Sequence, residues 1–230
     1  MPDTSGSLSI AHPESVDRGV FICLEGGEGS GKTTMTKVVY DYLKSIGREA
    51  REVSDPGSTP LAQRVREIVI DAHCPCTPAQ QALLYVTARD ALANEIRDLL
   101  DMGIDVVCGR WTLSTLVYQG ELGGVDIDKI RWLTANFIDL NPDIYILLNS
   151  TPEIALTRKR EAVGDSAIAN DRFDSRPIDW HRAVQNAYYG YAEGKGYPVV
   201  DADRPLDEVA AAVLAICKMD ARLRGHTGSL

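Results

Sequence analysis

Residues suited to holding a phosphate chain stand together early in the sequence. Gly26-Gly27-Glu28-Gly29-Ser30-Gly31-Lys32-Thr33 meets G-x-x-x-x-G-K-[ST] at every fixed position. Glycines let the backbone curl until successive N–H groups face one point, a following helix adds the positive end of its dipole, and Lys32 adds a full charge. A nucleoside triphosphate is the ligand this arrangement suits. Glu28 places a carboxylate inside the loop, where Mg2+ or an arginine must offset its repulsion from polyphosphate.

Positioning such a loop takes a buried strand before it and a helix after it, and both patterns are present. The run 20–24 is short and apolar, and 32–46 carries helical periodicity. Beyond them, apolar runs alternate with amphipathic stretches, which predicts an α/β fold with a mostly parallel sheet. Strands are expected over 20–24, 49–53, 105–108, 144–148 and 197–201. Helices are expected over 32–46, 60–71, 78–102, 112–119, 126–139, 152–162, 177–192 and 205–219. Thr77-Pro78 and Thr151-Pro152 each put a capping hydroxyl before a proline at the first helical position, and Gly47 and Gly103 read as stops.

The whole chain has 230 residues, the size of one α/β domain, here expected over 19–219 with tails at 1–18 and 220–230. A net charge of −9 disfavours a nucleic-acid polymer as partner but leaves room for a local basic pocket. No apolar run approaches the ~20 residues of a membrane span, and residues 1–18 lack the basic start and apolar stretch of a secretory signal. Cys23, Cys108 and Cys217 fall in apolar settings and read as buried, reduced thiols, which points to the cytoplasm. Cys74-Pro75-Cys76 has no second Cys/His pair at zinc spacing and reads as a loop.

A phosphate loop does not by itself select a reaction. The sequence contains no Asn-Lys-x-Asp segment of the GTPase type, and the strand Val106-Val107-Cys108 runs into Gly109-Arg110 rather than the acidic residue with which ATPases poise water. The stretch 161–176 breaks the helical pattern: Gly164, Asp165, Ser166, Asn170 and Asp171 are turn-forming, and Arg158, Arg160, Arg172 and Arg176 crowd around them. It reads either as a mobile basic lid or as a solvated connector. Tyr85 and Arg89 are four apart and share a helix face, either for core packing and an ion pair or for a pyrimidine, with the ring stacking and the guanidinium donating to O4.

Three further segments, taken in order, resemble the thymidylate kinase family from about Val20 to Ile216. Asp55-Pro56-Gly57-Ser58-Thr59 resembles the family's Glu-Pro-Gly-Gly-Thr loop, and Tyr85 to Arg89 its aromatic-x-x-x-Arg helix. Gly109-Arg110-Trp111 with Ser114-Thr115 and Tyr118-Gln119-Gly120 is similar to its Asp-Arg-x…Ser-x-x-Ala-Tyr-Gln-Gly segment. The resemblance implies a P-loop fold with a five-stranded parallel sheet and a lid, a homodimer, and transfer of phosphate from ATP, with Mg2+, to dTMP.

It also implies roles. Gly26, Gly27, Gly29, Ser30, Gly31, Lys32, Thr33 and Thr34 would bind the donor, and Thr33 and Glu28 the metal, with Glu28 reaching it through water or orienting Arg110. Arg110 would clamp the acceptor phosphate; Asp55, Tyr85, Arg89, Ser114, Thr115, Tyr118, Gln119, Asp171 and Asp174 would surround the acceptor. Thr115 would touch the base and Tyr118 would crowd the sugar C2′, favouring deoxyribose. Because the loop has no arginine, Lys32, Glu28 and Arg110 would be joined in catalysis by a lid cation from Arg158, Arg160 or Arg172, the last in Asp171-Arg172-Phe173-Asp174, which resembles Asp-Arg-x-Glu. Two positions depart from the pattern: Gly109 replaces an Asp, and Ser54-Asp55 replaces Arg-Glu. A 5-substituted dUMP as acceptor, or a nucleotide-binding switch without transfer, remains open at this stage.

Overall fold

A computed structural model describes residues 17–71 and 73–224. Five strands, β1 (Phe21–Glu25), β2 (Ala50–Ser54), β3 (Asp105–Gly109), β4 (Ile144–Asn149) and β5 (Val199–Asp201), pair in parallel in the order β2-β3-β1-β4-β5. Every residue of β1 is buried, as its position between β3 and β4 and its apolar run require. The strand ends expected from sequence lie within two residues of those observed.

Helices cover both faces. Leu24 and Ile22 of β1 pack with Met35, Val39 and Leu43 of α1 (Lys32–Ser45), while Phe21 and Cys23 face Leu92 and Ile96 of α3 (Pro78–Asp101). Thr77 and Gln80 form a reciprocal cap at the start of α3, and Thr59 caps α2 (Pro60–Ile70) through Ala62 N–H. Gly47 and Gly103 take φ +81° and +77° after α1 and α3, the left-handed stops their positions predict. Thr151 departs from its expected role: its hydroxyl and N–H both turn to the Asp203 carboxylate, so it caps nothing in α6 (Pro152–Val163).

The stretches 112–119 and 126–139 were expected as single helices, and each divides. A short α4 (Thr112–Thr115) widens into a π-helical turn over Leu116–Glu121, and α5 (Ile127–Leu133) does the same over Thr134–Ile138. The expected lid stretch contains α7 (Asp165–Asn170), none of whose residues is buried, followed by turns that lead into α8 (Ile178–Lys195). The chain then runs through β5 to α9 (Leu206–Cys217).

Most of the expected tails, 1–16 and 225–230, lies outside the described residues. The described parts are packed. Arg18 pairs with Asp143 at 3.1 Å, and a 3-10 turn at Ala221–Leu223 lays Leu223 against the α1 core, with its carbonyl accepting from Tyr42 Oη at 2.7 Å. An apolar side chain at the end of a polar stretch was enough to tie the segment down. Cys23, Cys108 and Cys217 are buried free thiols, and burial pushes Cys217 up to about 12. Leu223→Ala should lower stability by about 2–5 kcal/mol, read from the urea midpoint, because the cavity opens in a fully buried cluster.

Candidate active site

The register that sets Leu24 opposite Gly109 and Glu25 opposite Leu147 brings the phosphate loop, the end of β3 and the end of β4 to one edge of the sheet. This is the crevice where open α/β sheets bind ligands. The loop approaches its neighbours closely. A Cβ on Gly29, at φ +69°, would lie 1.9 Å from the Ala155 carbonyl oxygen of α6, and one on Gly26 2.5 Å from that of Leu148. Gly31, at φ +90°, turns the chain into α1. Lys32 Nζ donates to the Gly26 and Gly27 carbonyls at 2.9 and 2.5 Å and to Ser30 Oγ at 3.3 Å. Burial first, and then the charge of Arg110, pull its ammonium below the usual lysine range.

A cleft of about 1160 Å³ runs from the loop past Thr33, Thr34, Ser54 and Glu52 to Arg158 and Arg204. A narrower pocket opens beside it, lined by Asp55, Tyr85, Arg89, Thr115, Gln119 and Phe173 among others. Glu28, Arg110, Arg66 and Lys159 line both and so stand at their junction. Their shared boundary is where a group could pass from one ligand to another.

Arg110 dominates that junction. It is a non-glycine residue at φ +73°, a backbone setting that costs about 1 kcal/mol or more and persists only when its surroundings enforce it. They do: Arg110 N–H donates to Leu24 O at 2.9 Å, and its guanidinium to Glu28 Oε1 at 3.0 Å, Gly26 O at 3.2 Å and Tyr188 Oη at 3.3 Å. Tyr118 Oη donates to both oxygens of Glu28, at 2.7 and 2.8 Å, and His181 Nδ1 lies 3.8 Å away. Burial pushes the Glu28 carboxyl up, but the neighbouring His181, the charges of Arg110 and Lys32 and the Tyr118 hydroxyl together hold it far below the usual range. Glu28 and Arg110 are thus held against each other at the junction. The Tyr118 hydroxyl is thus held by Glu28, while its side chain lines the narrower pocket.

Behind this pair sits Glu25, which the sequence reading missed. It accepts from Trp111 N–H at 2.7 Å and from Ser114 N–H and Oγ at 3.2 and 2.8 Å, and so fixes the turn that carries Arg110. Burial pushes its carboxyl up. Ser114 Oγ also meets Tyr188 Oη at 2.7 Å, so this serine holds the frame while lining the narrower pocket. An acidic residue ending a strand just before a phosphate loop was the available signal for Glu25; Tyr188 and His181 come from a distant helix and gave none.

In the narrower pocket, Arg89 Nε and Asp55 Oδ2 bond at 2.6 Å, both almost fully buried. Arg89 Nη1, Asp55 Oδ1 and Thr115 Oγ1 are buried and find no partner among the described residues. Gln119 donates to Gln81 at 3.0 Å, and Tyr85 is half-buried on the wall. Buried polar atoms are nearly always paired, so three unpaired ones in one pocket mark a ligand site.

The lid candidates separate. Arg172 donates to the carbonyls of Asp71, Cys74 and Cys76, and Arg160 pairs with Asp165 at 3.0 Å on the exposed side. Carbonyls of a loop end occupy one guanidinium, and helical rotation turns the other to solvent. Arg158 stays on the cleft wall, donating to Ala202 O at 2.7 Å and Asp203 O at 3.4 Å. Asp171 caps its own turn through Phe173 and Asp174 N–H at 2.8 and 3.2 Å, and Asp174 pairs with Lys159 at 2.6 Å. A Cβ on Gly109 would fit without a clash, in van der Waals contact with Thr36 Cγ2 at 3.7 Å, and Thr36 Oγ1 donates to Glu52 at 2.7 Å there.

A sequence model of the family described as thymidylate kinase matches residues 24–213. The chain is similar to the thymidylate kinase of Deinococcus radiodurans, 35% identical over 215 residues covering 92% of this chain and 100% of the relative. It is also similar to that of Nitrobacter winogradskyi, 36% identical over 203 residues, 86% and 87% of the two chains. The thymidylate kinase of Caldicellulosiruptor saccharolyticus is 36% identical over 173 residues, 74% and 82% of the two.

The electrostatics of Glu28 can be tested directly. Its proton affinity is lower folded than unfolded, so ionised Glu28 contributes stability above the unfolded value near 4.5, and that contribution fades as pH falls below it. Glu28→Gln lacks it. The stability gap between wild type and Glu28→Gln should narrow by about 1 kcal/mol between pH 7 and pH 3.5, measured by urea unfolding; a gap independent of pH would contradict the assignment.

Proposed function

The chain belongs to the thymidylate kinase family, enzymes that carry the γ-phosphoryl of ATP to dTMP to give ADP and dTDP, and we propose a role in that transfer for each part of its site. The observation that carries the reading is the acceptor pocket: Arg89 Nη1, Asp55 Oδ1 and Thr115 Oγ1 are buried there with no partner among the described residues, one junction away from a phosphate loop. A thymine offers carbonyl acceptors and a ring N–H donor. The guanidinium suits a carbonyl, the carboxylate suits an N–H, and the hydroxyl suits either.

ATP takes the larger cleft, with its phosphates against the loop N–H groups of Gly29 to Thr34 at the start of α1. Lys32 exchanges its carbonyl contacts for phosphate oxygens, a change its lowered proton affinity marks as favourable. The base of dTMP lies against Tyr85 and Arg89, and Arg110, held by Glu28, faces its phosphate at the junction. Arg66, missed in the sequence, supports the same phosphate from α2.

Mg2+ is part of the proposal. No group of three His, Cys, Asp or Glu among the described residues could hold a metal by itself, but Thr33 stands exposed in the cleft beside Lys32. One hydroxyl with phosphate oxygens and waters is a donor set that suits Mg2+, so Thr33 is its protein ligand and Glu28 acts through Arg110. Bound there, Mg2+ would neutralise charge on the β- and γ-phosphates. Pairing of two copies is proposed on exposed Leu83 of α3, Trp132 of α5 and Phe137 of the π-helical turn that follows it. No helix among the described residues is long and apolar enough to cross a membrane.

ADP release with dTMP, dUMP, dCMP and dGMP as acceptors tests the reading: turnover should depend on dTMP, and indifference to the acceptor would refute it. Thr115→Val removes a hydroxyl with no partner among the described residues and keeps the side chain's shape. It should raise the KM for dTMP about tenfold, with kcat and the KM for ATP nearly unchanged. An unaltered KM would mean the hydroxyl meets no substrate.

A further inference from the structure

We propose that the lid cation completing phosphoryl transfer is Lys159, a residue outside the arginine set the sequence pointed to. The inference rests on the kinase reading above and concerns which lid side chain meets the moving group. Arg158, Lys159 and Arg160 are consecutive on α6, and 100° steps send three such side chains in three directions. Arg158 reaches the Ala202 and Asp203 carbonyls, and Arg160 reaches Asp165 at the surface. Lys159 alone of the three lines both the donor cleft and the acceptor pocket. Arg172 is held by loop carbonyls, and Arg176 lies over the Trp180 ring with 5.7 Å to its centroid.

The contacts of Lys159 suit the task. Its Nζ is 2.6 Å from Oδ1 of the buried Asp174, an anchor that aims the ammonium and takes one of its three donors. Two donors remain, with no further partner among the described residues. Asp174 belongs to the turn that closes over the acceptor pocket, so the pair joins α6 to that turn at the point where the two ligands would meet. Lys159 and Lys32 line the same donor cleft.

In the transfer, the bond between the γ-phosphorus and the β–γ bridging oxygen breaks, and its electron pair leaves on ADP. An oxygen of the dTMP phosphate, already ionised, supplies the pair for the new P–O bond, so no proton needs to move. Charge spreads over three equatorial oxygens in that transition state. Lys32 meets them from the loop, Arg110 from the end of β3 and Lys159 from the lid. A compact ammonium does here what a guanidinium would do from a longer reach.

The full-length protein with Lys159→Met, Lys159→Arg and Arg160→Ala provides the test. Lys159→Met should lower kcat on the order of a hundredfold, while affinities for ATP and dTMP, by calorimetry, stay within about threefold. Binding of ADP, dTMP and aluminium fluoride, which mimics the planar transferred group, should weaken along with kcat. Lys159→Arg should recover most of the rate. An Arg160→Ala loss as large as that of Lys159→Met would overturn the assignment. So would equal weakening of ATP and the fluoride mimic, since a residue that merely staples the lid would affect both alike. Wild-type turnover of dTMP in the same assay separates the two readings: Lys159→Met at the wild-type rate refutes the lysine's role and leaves the kinase reading intact.

Discussion

Two carboxylates, Glu25 and Glu28, and two cations, Arg110 and Lys32, meet where the phosphate loop crosses the ends of β1 and β3, and the site depends on the balance among their charges. The cations oppose the upward push that burial gives both carboxyls, and removing one partner of such a buried pair typically costs about 3–5 kcal/mol. Each charge has a separate task. Glu25 takes three donors from the Trp111–Ser114 turn and sets the backbone; Glu28 takes Tyr118 and Arg110 and sets the side chain. The left-handed conformation of Arg110 is the visible strain of this arrangement.

The same balance explains why the acceptor side is assembled from so many elements. Tyr188 and His181 come from α8, Tyr118 from the π-helical turn after α4, Arg89 from α3 and Asp55 from the loop after β2. A π-helical turn adds a residue to a helix, and here it lets Tyr118 and Gln119 both face inward, at 9% and 1% exposure, one toward Glu28 and the other toward Gln81. The Arg89–Asp55 pair is matched in charge but unfilled in hydrogen bonds. That is the state expected of groups whose remaining partner is a ligand.

Local pattern carried much of this into the sequence. The strand–loop–helix unit around Lys32, the five strands and the glycine stops are encoded over a few residues each, and the spacing of Tyr85 and Arg89 was enough to put both on one pocket wall. What was not legible depends on rotation and on distant packing. Composition shows that 158–176 is basic, but only the turn of α6 decides that Lys159 faces inward and Arg160 outward, and only the loop after α2 decides that Arg172 has carbonyls to hold. Thr151 looked like a cap until Asp203, from beyond β5, took its hydroxyl. The segment at 220–224 looked like a tail because one buried leucine is too small a signal to outweigh its polar neighbours.

The contact between Gly29 and the Ala155 carbonyl, close enough that no side chain fits between them, joins the root of α6 to the phosphate loop. The lid helix is thus a lever whose fulcrum is the donor site itself, with Lys159 one turn out along the arm. Past Gly164 the chain leaves that anchor, and α7 buries none of its residues. With the proposed role of Lys159, such an anchor would hold its ammonium in register with the donor whatever the outer segment does.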